Sequence, residues 1–227
     1  MSVTKGWDWS QNQSKEWLVP ANEAAFLAER WTGLAFRDFL DMGCGLGRHA
    51  IYMARRGFNV DGVDVSEEAV AHLEQWACRE RLKIRVQQAN MLCLPFEDSR
   101  FDCIMAYNVI YHTDTAGFKA ALGELRRVLR PGGELFLTML SKRTPSFQLA
   151  PAHTRLDANS YWRDEGPAER HVPHFCVEAQ ELAGLFANWR FVQRPMECIS
   201  HDLQQAGRFS AHFTALVQRP LDNGATP

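Results

Sequence analysis

Between residues 37 and 140 the chain alternates strand-like and helix-like segments, and few folds tolerate that pattern. RDFLD (37–41), FNVDGVD (58–64), IRVQQ (84–88), FDCIMAY (101–107) and ELFLTML (134–140) are short runs with apolar centres, although the third is weak in hydrophobicity. Between them lie helical patterns. Residues 48–56 read as a helix, with Gly57 suited to a left-handed C-terminal cap. Ser66 offers an N-cap, and Glu67 and Glu68 complement the dipole of a helix carrying Ala69, Val70, Leu73, Trp76 and Ala77 at helical spacing. Phe118, Ala121, Leu122, Leu125, Val128 and Leu129 mark a third helix, stopped by Pro131, Gly132 and Gly133. LPFEDSR (94–100) reads as a loop. Strands alternating with helices predict βαβ units and a parallel sheet covered on both faces.

The flanks complete the plan. Four of the seven tryptophans, Trp7, Trp9, Trp17 and Trp31, fall in residues 1–33, around a short helix expected at 21–30. From 141 to 175 the alternation lapses into a polar stretch with Pro145, Pro151, Pro167 and Pro173, too long for a plain connection. It reads as an active-site cover or a disordered excursion. A helix is expected at 177–187, then strands at 190–196 and 209–218 forming an antiparallel pair at the sheet edge. The predicted fold is α/β: a doubly wound, mostly parallel seven-stranded sheet with helices on both faces and an antiparallel edge strand. A single domain over 1–227 divides into a Trp-rich cap (1–33), a ligand-binding core (34–140), an insertion over the site (141–175) and a C-terminal helix with edge strands (176–227).

A net charge of −2 argues against nucleic acid as the main partner, because phosphate neutralisation needs a cationic surface. No run of 18 apolar residues exists to span a membrane, and MSVTKGWDWSQ lacks an apolar signal core. Six scattered cysteines without a CxxC pair read as reduced thiols, so a cytoplasmic location is expected.

Residues 38–50, DFLDMGCGLGRHA, carry the chemistry. Gly43, Gly45 and Gly47 follow the first strand, where an open parallel sheet binds its ligand. Glycine permits backbone angles that a Cβ forbids and lets a ligand approach main chain and helix N-terminus. The spacing is GxGxG. The dinucleotide fingerprint GxGxxG/A would place Arg48 at its third position, and no GK[ST] of a phosphate loop occurs. Asp64 ends the second strand, 17 residues past Gly47, where a carboxylate accepts both ribose hydroxyls. Asp41 puts negative charge beside the turn, repelling pyrophosphate and favouring a cationic group. The ligand is nucleoside-like.

At this point a resemblance is plain. DMGCGLG, VDGVDVS, ANMLCLPF, FDCIMAYNVIYH and LRPGGELFL resemble the successive motifs of class I S-adenosylmethionine-dependent methyltransferases acting on small molecules, over roughly residues 37–140. The resemblance implies a Rossmann-like methyltransferase fold with S-adenosylmethionine as cofactor and S-adenosylhomocysteine as product. It implies that Gly43, Gly45 and the Cys44 backbone line the methionine portion and that Asp41 lies near its ammonium. Asp64 would hold the ribose, Val65 would pack on the adenine, Asn90 and Met91 would flank it, and the Asn108 carbonyl would meet the cofactor amine. Asn90 departs from the family, which usually has Asp there.

Methyl transfer from a sulfonium asks the protein for alignment and exclusion of water. A base is required only for a neutral oxygen or protonated amine acceptor, and His112 and His174 are the catalytic candidates. His171 and His174 (HVPH) have a metal-like spacing, but a proline separates them and no third ligand is evident, so no metal is expected. Acceptor choice is expected from 1–33 and 141–175. The latter sets Lys142, Arg143, Arg155, Arg163 and Arg170 against Asp157, Asp164, Glu165 and Glu169, among Phe147, Tyr161, Trp162 and Phe175. The acceptor is read as a small molecule. The competing functions are a nicotinamide oxidoreductase and a non-catalytic S-adenosylmethionine-binding module.

Overall fold

A computed structural model describes residues 2–11, 14–163, 168–201 and 209–222. Asp164, Glu165 and Pro167, singled out above, lie outside the described residues.

The first helix, α1 (Glu23–Gly33), leads into β1 (Asp38–Met42), α2 (Arg48–Ala54), β2 (Asn59–Asp64), α3 (Glu67–Glu80) and β3 (Ile84–Gln88). Then come β4 (Phe101–Ala106), α4 (Thr115–Val128) and the long β5 (Leu129–Ser141). Strand β1 pairs in parallel with both β2 and β4, β2 with β3, and β4 with β5. Beyond β5 the chain forms the short α5 (Pro145–Gln148), β6 (Ser160–Arg163), β7 (Val172–Val177), α6 (Ala179–Leu185), β8 (Arg190–Phe191), β9 (Met196–His201) and β10 (Phe209–Gln218).

The main path of the sheet runs β3-β2-β1-β4-β5-β10-β8, the expected seven strands, with β6, β7 and β9 attached to it. Strand β10 runs antiparallel to β5 on one side and to β8 and β9 on the other. The strand expected at 190–196 is therefore two pieces, β8 and the start of β9. The helix expected at 177–187 is shorter, because Val177 still pairs with Ser141.

Burial explains the local choices. Strands β1, β2 and β4 are buried almost throughout, as a sheet covered on both faces requires. On α4, Phe118, Ala121, Leu122, Leu125 and Val128 form the buried stripe. Its N-terminus is fixed by Asp114, whose Oδ1 accepts from Gly117 N–H at 2.7 Å. The Ser66 hydroxyl likewise accepts from Ala69 N–H. Helix α1 is tied to the sheet by Glu134: this buried carboxylate takes two hydrogen bonds from Arg30 (2.7 and 2.9 Å) and one from Trp31 Nε1 (3.0 Å).

The described residues of the 141–175 stretch include regular elements. Strands β6 and β7 form an antiparallel hairpin, and β7 continues in parallel against the end of β5. Phe175 stacks on Phe118 with ring centroids 4.3 Å apart, and its N–H donates to Tyr111 O at 2.8 Å. The hairpin is thus packed against α4 and the loop after β4.

Candidate active site

The sheet order reverses between β1 and β4, and the cleft opens there, at the carboxyl ends of the strands. It is open to solvent, and the space it outlines, its open mouth included, is about 800 Å3. Its floor is Met42 to Leu46. One wall carries Val63, Asp64 and Val65 with Ala89, Asn90 and Met91, and the other carries Tyr107, Asn108, Val109 and His112.

The glycine turn is built as its composition demands. Gly43, Gly45 and Gly47 have φ of +69°, +50° and +97°, in the region that side chains avoid. Protein atoms also fill the space a Cβ would take. Added to Gly43 it would lie 2.2 Å from Val109, and added to Gly47, 2.4 Å from Leu73. At Gly45 the obstacle is the Trp9 ring, 2.6 Å away.

Asp64 holds this turn. Its carboxylate accepts from Gly45 N–H at 2.8 Å and from Ser66 N–H at 2.9 Å, coupling the turn to the start of α3. Burial pushes its carboxyl up, opposed by those backbone N–H groups. Asp41, expected near the cofactor ammonium directly or through water, sits beneath the turn and is not among the residues lining the cleft. Its Oδ2 accepts from Ala50 N–H at 2.9 Å, so it serves the first turn of α2, and burial pushes it up to about 7. Cys44 lines the cleft as a buried residue, its thiol held well above the ordinary range by burial.

Asn90 and Met91 both line the cleft, but the Asn90 Oδ1 already accepts from Leu92 N–H at 2.9 Å. That bond shapes the loop, as an Asx turn does. Asn108 adopts φ +54°, with its N–H donating to Thr138 Oγ1 at 2.7 Å and its Oδ1 accepting from the same hydroxyl at 3.0 Å. Thr138 on β5 thereby fixes a strained turn on the cleft wall.

The Trp-rich segment read from the sequence as a cap lies at the cleft. Residues 4–9 cross the cleft as a strap. Thr4 bridges Thr113, Thr113 Oγ1 donates to Val3 O at 2.6 Å, and Asp8 N–H donates to Ala168 O at 3.1 Å. A Cβ at Gly6 would fall 2.3 Å from Val65, so the strap presses on that wall. Trp7, Trp9 and Trp17 cluster beneath it, with ring centroids 4.8–5.7 Å apart. Among the described residues, none from 141–175 lines the cleft.

Arg48 was missed as a site residue. It lines the cleft, with its guanidinium 4.9 Å from the Trp17 ring and 5.2 Å from the Tyr107 ring. A cation at the first position of a helix opposes the macrodipole, and that misplacement was a readable signal. The neighbouring His49 is structural: its Nε2 accepts from Ala21 N–H at 3.2 Å, and burial beside Arg48 lowers it to about 3.

The two histidine candidates come together although they lie far apart in sequence. The rings of His112 and His174 have centroids 5.0 Å apart, and both are buried. His112 lines the cleft and His174 stands behind it, with its Nδ1 3.0 Å from Val172 O. His171 is not part of this pair. Instead Glu169 approaches, its Oε1 3.9 Å from His174 Nε2 while its Oε2 takes an ion pair from Arg163 at 2.6 Å.

Residues 39–133 match the family described as methyltransferase domain. The chain is 36% identical over 135 residues to a probable S-adenosylmethionine-dependent methyltransferase of Mycolicibacterium smegmatis, covering 57% of this chain and 48% of that one. It spans about half the length of the curated relatives it matches. In fold it is similar to an S-adenosylmethionine-dependent methyltransferase from Methanosarcina mazei, with TM-score 0.69, 21% identity, and coverage of 82% of this chain and 93% of that one. It is also similar to a Burkholderia thailandensis 1,6-didemethyltoxoflavin-N1-methyltransferase solved with 1,6-didemethyltoxoflavin and S-adenosylhomocysteine, with TM-score 0.61, 20% identity, and coverage of 88% and 77%. Among the described residues no helix is long and apolar enough to cross a membrane.

Proposed function

We propose that this chain, whose residues 39–133 match a methyltransferase-domain family, is a class I S-adenosylmethionine-dependent methyltransferase that transfers the methyl group of that cofactor to a small-molecule acceptor in the cleft beneath the N-terminal strap. The observation that carries this reading is the Gly45–Asp64 pairing: a left-handed glycine turn at the end of β1, hydrogen-bonded to a carboxylate at the end of β2, both lining one cleft.

The residues present fit the cofactor. At Gly45 the bare main chain is overlain by the Trp9 ring of the cover, 2.6 Å from where a Cβ would stand. When bound, S-adenosylmethionine supplies an electrophilic methyl on a sulfonium, passed by in-line displacement and leaving a thioether that needs no proton. Gly43, Cys44 and Gly45 cradle the methionine end, with Asp41 acting on its ammonium through the field beneath the turn. Asp64 keeps lone pairs for the ribose hydroxyls alongside its two backbone partners. Val65, Asn90 and Met91 enclose the adenine, and Asn108 faces the amine.

On the acceptor side lie Trp7, Arg48, Tyr107 and His112. Trp7 Nε1 is buried without a hydrogen-bond partner among the described residues, which suits a polar acceptor. The tryptophan cover excludes water and confines the acceptor, favouring a compact molecule. We assign His112 to contact with the acceptor and His174 to positioning His112.

The test is a methyl-transfer screen with labelled S-adenosylmethionine over thiols, amines, phenols and carboxylates, alongside titration with S-adenosylhomocysteine and NADH. Labelled product from one acceptor class with S-adenosylhomocysteine inhibition is expected. Binding of NADH alone would refute the proposal in favour of an oxidoreductase. Cofactor binding without turnover on any acceptor would indicate a binding module.

A further inference from the structure

Behind the cleft wall, His112 and His174 each present a buried Nε2 with no hydrogen-bond partner among the described residues. Two such atoms side by side demand an explanation, since buried polar atoms are nearly always satisfied. A carboxylate oxygen of Glu169 completes the group, and one ligand atom from each residue lies within 4.8 Å of the others. At 3.9 Å, His174 Nε2 and Glu169 Oε1 are too far apart for a hydrogen bond.

We propose that His112, Glu169 and His174 form a binding site for a divalent transition-metal ion at the acceptor side of the cleft, with its open coordination positions facing the cleft. Ligands at about 2.0–2.2 Å from an ion stand roughly 3.4 Å from one another in a tetrahedral arrangement, so a contraction of at most about 1.4 Å closes the site. The surroundings are those of a metal site. The His174 Nδ1–H donates to Val172 O at 3.0 Å, which fixes the tautomer with the Nε2 lone pair outward. Glu169 is oriented by Arg163 through its other oxygen. Two imidazoles and a carboxylate suit Zn2+, Fe2+ or Co2+ better than Mg2+. Three protein ligands leave room for an exogenous one, and His112 lies on the cleft wall where an acceptor oxygen could take it. The ion site stands on these three residues; only its role toward the acceptor rests on the methyltransferase reading.

The motif HVPH, from which no metal was expected, contributes His174 to the proposed ligands. Its partners are Glu169, two residues before His171, and His112, which the loop after β4 brings in from the other side of the sheet crossover.

The test uses the full chain, stripped with chelator and titrated with Co2+ and then Zn2+. One Co2+ per chain is expected, with visible d–d absorption of a low-coordinate site, bleached by Zn2+. His112→Gln and Glu169→Gln each remove a direct ligand and weaken metal affinity by more than the roughly 10–100-fold typical of losing a supporting outer residue. Glu169→Gln, which lies off the cleft wall, leaves S-adenosylhomocysteine affinity unchanged, so cofactor and metal readings fail separately. Failure of the wild-type chain to bind either ion overturns the proposal. So does equal affinity in both variants, which would put the ion elsewhere, for example on the exposed Cys78, Cys93 or Cys198.

Discussion

Replacing Asp64 by Asn tests the central pairing, because it keeps the shape and removes the charge. The carboxylate accepts from two backbone N–H groups, Gly45 at 2.8 Å and Ser66 at 2.9 Å. Asn offers one acceptor oxygen, so its amide must face one of those donors. Hydrogen bonds to a charged group contribute about 1.5–3 kcal/mol each. Against that loss, the burial that pushes the Asp64 carboxyl up shows that the charged form carries a desolvation penalty, which Asn avoids. The net stability loss should be about 1–2 kcal/mol, or roughly 2–8 °C in Tm for a chain of this size. Cofactor affinity should fall further. If the carboxylate also grips the ribose diol, about 2–3 kcal/mol is lost on binding, some 30–150-fold in Kd. Thermal melts and calorimetric titration with S-adenosylhomocysteine separate the two effects. A folded Asp64→Asn chain binding within threefold of wild type would refute the ribose assignment; a melting point unchanged as well would refute the turn-holding role.

Asp41→Asn should flatten a pH effect. The folded pKa of about 7 lies above the ordinary 3.8, so the stability this carboxyl contributes is complete below pH 3.8 and is lost as pH rises through 7. Wild type should therefore lose on the order of a few kcal/mol relative to Asp41→Asn between pH 4 and 8, read from urea midpoints; parallel curves would show that Asp41 does not titrate there. Glu134→Ala removes three hydrogen bonds to α1, but Arg30, about one-third exposed, can be resolvated, leaving mainly a buried Trp31 N–H without a partner. A loss of about 2–3 kcal/mol is expected in calorimetric melts, and a change below about 0.5 kcal/mol would mean that α1 docks by apolar packing alone. Because the Trp9 ring covers Gly45, S-adenosylhomocysteine should change the tryptophan emission, and Trp9→Ala should lose most of that change and release the ligand faster. An identical dissociation rate would show that the strap does not gate the cleft.

The core was legible because its signals are local. Apolar runs, the Ser66 cap and the acidic ends of β1 and β2 lie within a few residues of what they specify. The hairpin was harder. VPHFCV reads as loop because of Pro173, yet it forms a strand paired with β6 and, at its end, with β5. Proline is tolerated where its missing N–H is not needed by the ladder. The tryptophans marked 1–33 as a cap, but how the strap docks was illegible: its partners, Thr113, Ala168 and Arg170, are more than 100 residues away, and no local pattern encodes such pairings.

The glycines show where a correct conclusion rested on an incomplete reason. Three bare residues suggested a ligand pressed on main chain. Yet Val109 occupies the Cβ space at Gly43 and Leu73 that at Gly47, so these two glycines are required by the protein's own packing whether or not anything binds. Only at Gly45 does the obstacle belong to the cleft's cover, and only Gly45 pairs with Asp64. The functional content of the motif therefore sits in one glycine and a carboxylate from the next strand. Gly43→Ala should cost stability first, and Gly45→Ala should cost ligand binding first. The double change Gly45→Ala with Trp9→Ala should recover part of that binding, because it removes the ring the new methyl would strike.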